Sequence, residues 1–158
     1  MNHGSYYSWI GQIVTTFEEG LHLSSNHTST LYAYLSYKDA LQAMHWLEQA
    51  FGFGVVTQQI AEDGKTVNHA EMRLGEAVIM LASNDQDYEI PPLKGRSTGC
   101  GIYIFVDEVQ PLFAKAVTAG ATVVFPPEKT EWGTERCRVL DPEGHEWSFG
   151  TYEPGHSW

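Results

Sequence analysis

Cations are scarce: nine of the 158 residues are Lys or Arg against twenty Asp or Glu, giving a formal net charge of −11. Binding phosphates calls for clustered cations, and these nine are scattered, which excludes a nucleic-acid partner. Cysteine is scarcer still, with only Cys100 and Cys137. Two thiols build neither a disulfide framework nor a zinc quartet, so free thiols in a reducing cytoplasm are expected. No run approaches the roughly 20 apolar residues of a membrane span, so no membrane partner is expected. The N-terminus shows no basic stretch followed by an apolar one, so a secretion signal is not expected. Under that reading "NHT" at 26–28 is a chance match to a glycosylation acceptor. A phosphate-cradling glycine loop is also missing: "GFGV" at 52–55 follows a helical pattern, where a nucleotide loop would precede one.

What remains is the composition of a soluble domain, 42% hydrophobic and 18% charged, on a chain long enough for one real core. Residues 5–19 place Tyr6, Trp9, Ile10, Ile13, Val14 and Phe17 at helical spacing, with Ser5 as cap and Gly20 as stop. A polar linker, "LHLSSNHTST", follows. The expected layout is an appended helix and linker over 1–30 and a single domain over 31–158.

That domain repeats itself. Residues 31–56 read as strand, Asp39 cap, helix, Gly52 stop, strand; residues 100–124 read as strand, Asp107 cap, helix, Gly120 stop, strand. Aspartate accepts from the free N–H groups of a helix start, and glycine ends a helix because it tolerates positive φ. Cap to stop is 13 residues in each half. Three strand-like runs complete each half: "FGVVTQQI", "NHAEMRL" and "AVIMLAS", then "ATVVF", "ERCRVL" and "EWSFGTY". The fold class expected is α+β: two βαβββ modules, about 31–83 and 100–152, sharing one core.

A duplicated βαβββ unit ending in "DPEGHEWSFGTYEP", with "HAEMRLGEAVIMLAS" in its first half, resembles the vicinal oxygen chelate superfamily. Glyoxalase I, extradiol dioxygenases and bleomycin-resistance proteins belong to that group, and the tail looks most like its uncharacterised glyoxalase-like branch. The resemblance implies a curved mixed sheet with a concave cleft, and a homodimer. It also implies, in metal-dependent members, a ligand on the first and last strand of each module. Counted from the Asp39 cap, and with the second strand-to-cap step one residue shorter, those positions are Tyr32, Met80, Gly101 and Ser148. They are not a donor set for a divalent ion, so neither a metal nor another cofactor is expected.

Strand alternation then assigns faces. Ala33, Leu35, Tyr37, Ala70, Met72, Leu74, Ile102, Ile104, Val106, Trp147 and Phe149 belong to the core. Tyr32, Tyr34, Met80, Gly101, Tyr103, Phe105, Glu146 and Ser148 face the cleft, and His69, Glu71 and Arg73 face the cleft or solvent. Trp132, on a Pro/Gly-flanked loop, is a candidate lid. His69 and Glu71 are either an acid/base pair or a surface pair, and Glu71 with Arg73 reads as a weak ion pair. His145 reads as a turn-edge residue. Aromatic walls with a few polar groups suit a small-molecule site. The function expected is metal-independent binding of an aromatic or cationic small molecule. The alternative is a glyoxalase-like or dioxygenase-like lyase, isomerase or oxidoreductase, which would need a metal or acid/base work by His69, Glu71 or Glu146. A third reading is an interaction protein that recruits a partner through residues 5–19.

Overall fold

A computed structural model describes residues 30–83, 97 and 99–155; the helix expected at 5–19 and most of the expected linker at 84–99 lie outside them. The order is β1 (Ala33–Tyr37), α1 (Ala40–Phe51), β2 (Gly54–Ile60), β3 (Val67–Leu74), β4 (Ala77–Ser83), β5 (Gly101–Phe105), α2 (Val109–Thr118), β6 (Thr122–Lys129), β7 (Glu135–Leu140) and β8 (Glu146–Gly150). The first four strands form a sheet ordered β1-β4-β3-β2 and the last four one ordered β5-β8-β7-β6. In each, the first and last strand pair in parallel and the remaining pairs are antiparallel. This is the expected α+β architecture, twice over. Among the described residues no helix is long and apolar enough to cross a membrane.

The helices begin and end for local reasons. Asp39 accepts from the Gln42 N–H at 3.0 Å, and Gly52, at φ 84°, closes α1. The second cap differs from expectation: it is Glu108, in extended backbone and without a side-chain capping bond, rather than Asp107. The strand-to-cap step is therefore seven residues in both modules (Tyr32 to Asp39, Gly101 to Glu108), and the shorter second step expected above is absent. Helix α2 is also the shorter, capped at Ala119 with left-handed Gly120 just beyond. There the Ala121 N–H returns to Ala116 at 2.9 Å, a closure that only a residue tolerant of positive φ allows. Strand β6 runs further than "ATVVF", through Pro126 and Pro127 to Lys129. It lies on a sheet edge, and its register with β7 is interrupted between Phe125 and Glu128, across the two prolines.

One core serves both modules. Tyr37, Leu47, Phe51, Met72, Leu81, Val139, Trp147 and Phe149 are buried together. Phe51, at the end of α1, meets Trp147 and Phe149 of β8 at centroid distances of 5.0 Å each. The Trp46 indole N–H donates to the Ala119 carbonyl at 2.7 Å, tying α1 to the end of α2. Each such side chain contributes about 1.5–3 kcal/mol by leaving water. These aromatics gather the two helices and both inner sheet faces about one centre, so the opposite, open faces of the sheets look outward.

The turn after β7 clasps the two modules. Asp141 accepts from the N–H groups of Glu143, Gly144 and His145 at 3.0, 2.8 and 2.9 Å. It also accepts from the Tyr37 phenol at 2.8 Å and the Trp147 indole at 3.3 Å. Glu143 in turn accepts from the Lys38 and Asp39 N–H groups, each at 2.8 Å, at the start of α1. His145 is more than a turn-edge residue. Its ring lies 4.3 Å from the Tyr37 ring, with Nδ1 3.3 Å from Asp141 Oδ2.

Candidate functional site

The open face of the first sheet is built in register rows. Tyr34 pairs with Met80, Met80 with Glu71 and Glu71 with Thr57. Directly paired residues share a face, so Tyr34, Met80 and Glu71 form a strip across three strands. His69 and Arg73 flank Glu71 on the same face of β3. Glu71 takes His69, not Arg73, as its ion-pair partner, with His69 Nε2 3.3 Å from Glu71 Oε1 and both side chains about one-third exposed. The 7 Å step between alternate strand residues is bridged by the two side chains leaning together. Tyr32 immediately precedes β1 and is exposed.

The second sheet repeats the plan with different chemistry. Tyr103 pairs with Ser148, Ser148 with Arg138 and Arg138 with Phe125. Gly101 pairs with Glu146, and Phe105 with Gly150. The Tyr103 phenol is pinned over Gly150: its hydroxyl donates to the Tyr152 carbonyl at 2.7 Å and accepts from the Tyr152 N–H at 3.2 Å. A Cβ at Gly150 would collide with that hydroxyl and crowd the Glu135 carbonyl, so a side chain there would have to displace Tyr103. Burial pushes the Tyr103 phenol above its ordinary pKa, which keeps it a neutral donor.

Arg138 and Phe125 are the residues that the sequence analysis missed. Arg138 Nε–H donates to Ser148 Oγ at 2.9 Å, and its Nη1 lies 3.4 Å from Glu146 Oε2. Phe125 lies under two guanidinium groups, with Arg136 at 5.3 Å and Arg138 at 5.6 Å from its centroid. The signal was present in "ERCRVL": Cys137 and Val139 are core, which puts Arg136 and Arg138 on the opposite face.

This chemistry does not fit the divalent metal that the resemblance implies. Tyr32, Met80, Gly101 and Ser148 offer a phenol, a thioether, no side chain and a hydroxyl. Register also separates them, because Met80 faces Tyr34 and Ser148 faces Tyr103. A fixed guanidinium already sits on Ser148 and would repel a second cation. Among the described residues, no three His, Cys, Asp or Glu side chains converge in a way that could hold an ion.

The residues assigned to one cleft thus fall into two groups, Tyr34, His69, Glu71, Arg73 and Met80 on one open face and Tyr103, Phe105, Glu146 and Ser148 on the other. Trp132 stands at the tip of the β6–β7 hairpin, 64% exposed. Cys137 is buried, and burial pushes its thiol up to about 11, so it is no nucleophile at neutral pH.

Comparison with known proteins agrees with the architecture. Residues 24–149 match the family model of the Glyoxalase/Bleomycin resistance protein/Dioxygenase superfamily. An uncharacterised protein of Mycobacterium tuberculosis (strain CDC 1551 / Oshkosh) is 31% identical over 142 residues, 84% of this chain and 80% of that protein. The crystal structure of TioX from Micromonospora sp. ML1 is similar with a TM-score of 0.64 at 29% identity, covering 80% of this chain and 100% of that one. A mutant of the fosfomycin resistance protein FosX from Listeria monocytogenes, solved with Mn(II) and a dihydroxypropylphosphonic acid, gives a TM-score of 0.61 at 15% identity, covering 81% and 94%.

Proposed function

The chain belongs to the glyoxalase/bleomycin resistance protein/dioxygenase superfamily, and from that membership we propose that it is a metal-independent protein that binds an aromatic small molecule in the cytoplasm. One observation carries the reading: each sheet presents an outward face on which exposed aromatics border a fixed polar pair. Tyr34 stands 54% exposed near Glu71 and His69; Tyr103 and Phe105 stand 39% and 45% exposed near Ser148 and Arg138. Aromatic walls with few, placed polar groups are the usual make-up of small-molecule sites. A face of this kind encloses a ligand only when something covers it. In the proposal a second copy does so, the first sheet of one chain opposing the second sheet of its partner in a homodimer. The binding domain spans 31–158, Trp132 closes over the ligand as a lid, and residues 1–30 are an appended segment.

Metal independence is supported by the donor set and by the Arg138 guanidinium at Ser148. FosX, which shares this fold, was solved with manganese; here the last-strand position that the resemblance points to is Ser148, which holds the Arg138 guanidinium. The test joins sedimentation velocity to a thermal-shift screen of aromatic compounds, with metal content measured on untagged protein. A dimer without stoichiometric metal, stabilised by an aromatic compound and not when Phe105→Ala is introduced, is the expected result. A monomer that no compound stabilises would overturn the reading.

A second reading, an acid/base enzyme of the glyoxalase-like or dioxygenase-like kind, has one observation in its favour, the His69–Glu71 pair at 3.3 Å. Saturable turnover abolished by His69→Ala would establish it over simple binding.

A further inference from the structure

Each helix start faces a turn of the opposite module, and the repeat lets the two junctions be compared position by position. Counted from the helix caps Asp39 and Glu108, Tyr37 corresponds to Val106, Gln42 to Pro111, Ala43 to Leu112 and Trp46 to Lys115. In the first module Tyr37, Asp39, Gln42, Ala43 and Trp46 meet the turn Asp141-Pro142-Glu143, and the space left between them is about 30 Å³. Their counterparts Val106, Glu108, Pro111, Leu112 and Lys115 line a groove of about 1000 Å³. The difference has a local cause. The turn on that side is only Gly75 and Glu76, between β3 and β4, where the first junction is faced by residues 141–145. Val106 is also smaller than Tyr37, and Lys115 is exposed where Trp46 is buried.

The groove reaches the core. Phe51 and Phe53, both buried, form part of its wall. Ile102, Ile104 and Val106 face inward yet stay only partly buried, as does Leu112. Tyr103 and Phe105 border it where it passes β5, an edge strand. Apolar wall left open to water favours an occupant by about 25 cal/mol for each Å² covered.

Charge selects that occupant. Glu76, Asp107 and Glu108 lie on the wall, and Lys115 is the one cation among the lining residues. None of the three carboxylates forms an ion pair among the described residues. An anion here meets three like charges and a cation three opposite ones, and the net charge of −11 acts in the same sense. A plug carrying carboxylates, like the Asp141–Glu143 turn of the first junction, would be repelled.

We propose that this groove is a second ligand site, on the helix side of the molecule, and that it takes a hydrophobic amine. The compact apolar body occupies the space that the Asp141-Pro142-Glu143 turn takes in the first module, and the protonated nitrogen faces Glu76, Asp107 and Glu108. The proposal does not depend on ligand binding at the open faces.

Three probes sharing one hydrocarbon body decide it: adamantanemethylamine, adamantanemethanol and adamantanecarboxylate, each titrated into the full chain and followed by amide chemical shifts. The amine is expected to bind with shifts centred on the β3–β4 turn, β5 and the start of α2. The alcohol keeps the body and loses the charge, so it should bind roughly threefold or more weakly, and the carboxylate more weakly still. Glu76→Gln, Asp107→Asn and Glu108→Gln introduced together should remove the preference for the amine while the alcohol binds as before. Lys115→Trp, which introduces the first module's residue at the corresponding position, should fill the groove and weaken all three. An alcohol or carboxylate that binds as well as the amine overturns the proposal, as do shifts confined to the open faces, at Tyr34 and Met80 or at Arg138 and Ser148. Silence from all three probes overturns it too; if Lys115→Trp then also dissociates a dimer, the occupant is a second copy of this chain. The probe comparison uses the unaltered chain, so it decides the matter even where a variant does not fold.

Discussion

The Tyr37 phenol donates a 2.8 Å hydrogen bond to Asp141 Oδ2, joining two buried residues 104 positions apart. The bond spans the two modules, linking the end of β1 to the turn before β8. Removing it by Tyr37→Phe leaves the ring in place and Asp141 with its turn N–H donors. The expected loss is about 1.5–3 kcal/mol, the range for a bond to a charged acceptor, read from urea unfolding midpoints at unchanged m-value.

The same pair sets two limbs of a pH profile. Burial pushes the Asp141 carboxyl up, but the neighbouring His145, the Tyr37 phenol and the turn N–H outweigh it and hold it below its ordinary pKa. The folded state then binds fewer protons than the unfolded one. Stability from this group is present above an unfolded pKa of about 3.9 and is lost as pH falls through the folded value. Burial and the Asp141 charge raise the Tyr37 phenol, so its contribution is complete below about 10 and falls away above that. Unfolding midpoints across the pH range should form a plateau with both shoulders. Tyr37→Phe should reduce the alkaline shoulder while an acid one remains; a profile unchanged at both ends would contradict the assignment.

Phe51 and Phe149 meet edge-on at 5.0 Å, 69° between planes. Either one cut to Ala should cost about 3–5 kcal/mol. A double-mutant cycle should return a coupling of about 0.5–1.5 kcal/mol, since each ring is the other's neighbour across the module boundary. Additive losses would mean that these two rings do not support each other across that boundary.

Gly150→Ala places a methyl against the Tyr103 hydroxyl and near the Glu135 carbonyl. Overpacking of this kind costs about 1–3 kcal/mol. It should also free Tyr103 from Tyr152, and aromatic binding should weaken with it. Thermal melts and a ligand titration check both parts.

Of the two thiols, Cys100 is exposed and Cys137 buried. Iodoacetamide at pH 8 should modify one cysteine in the native protein and two in denaturant, with peptide mass mapping placing the native adduct on Cys100.

Strand alternation made most of the face assignments legible, because a period of two needs only local residues: Ala70, Met72 and Leu74 turn inward while His69, Glu71 and Arg73 turn out. The turn was legible as "DPEG", since Asp141 bonds its own following N–H groups. What lay beyond the sequence was every partner set by long-range packing. Nothing around Ser148 announces the Arg138 guanidinium, ten residues back on the neighbouring strand. The cap of α2 was misplaced by one residue because Asp107 has the capping side chain, while the backbone stays extended to Glu108. Nor does the sequence reveal that Phe51 of the first module meets Trp147 and Phe149 of the second.

Glu143 caps α1 from the far half of the chain, and the favour is not returned: α2 starts at Glu108 without a side-chain cap, and the β3–β4 turn is no more than Gly75 and Glu76. The two modules are therefore unequal at this junction: the second supplies the carboxylate that closes the first helix. A first half made alone, or two first halves fused, would lack the carboxylate that closes its own helix, and a second half made alone would leave Asp141 without the Tyr37 phenol.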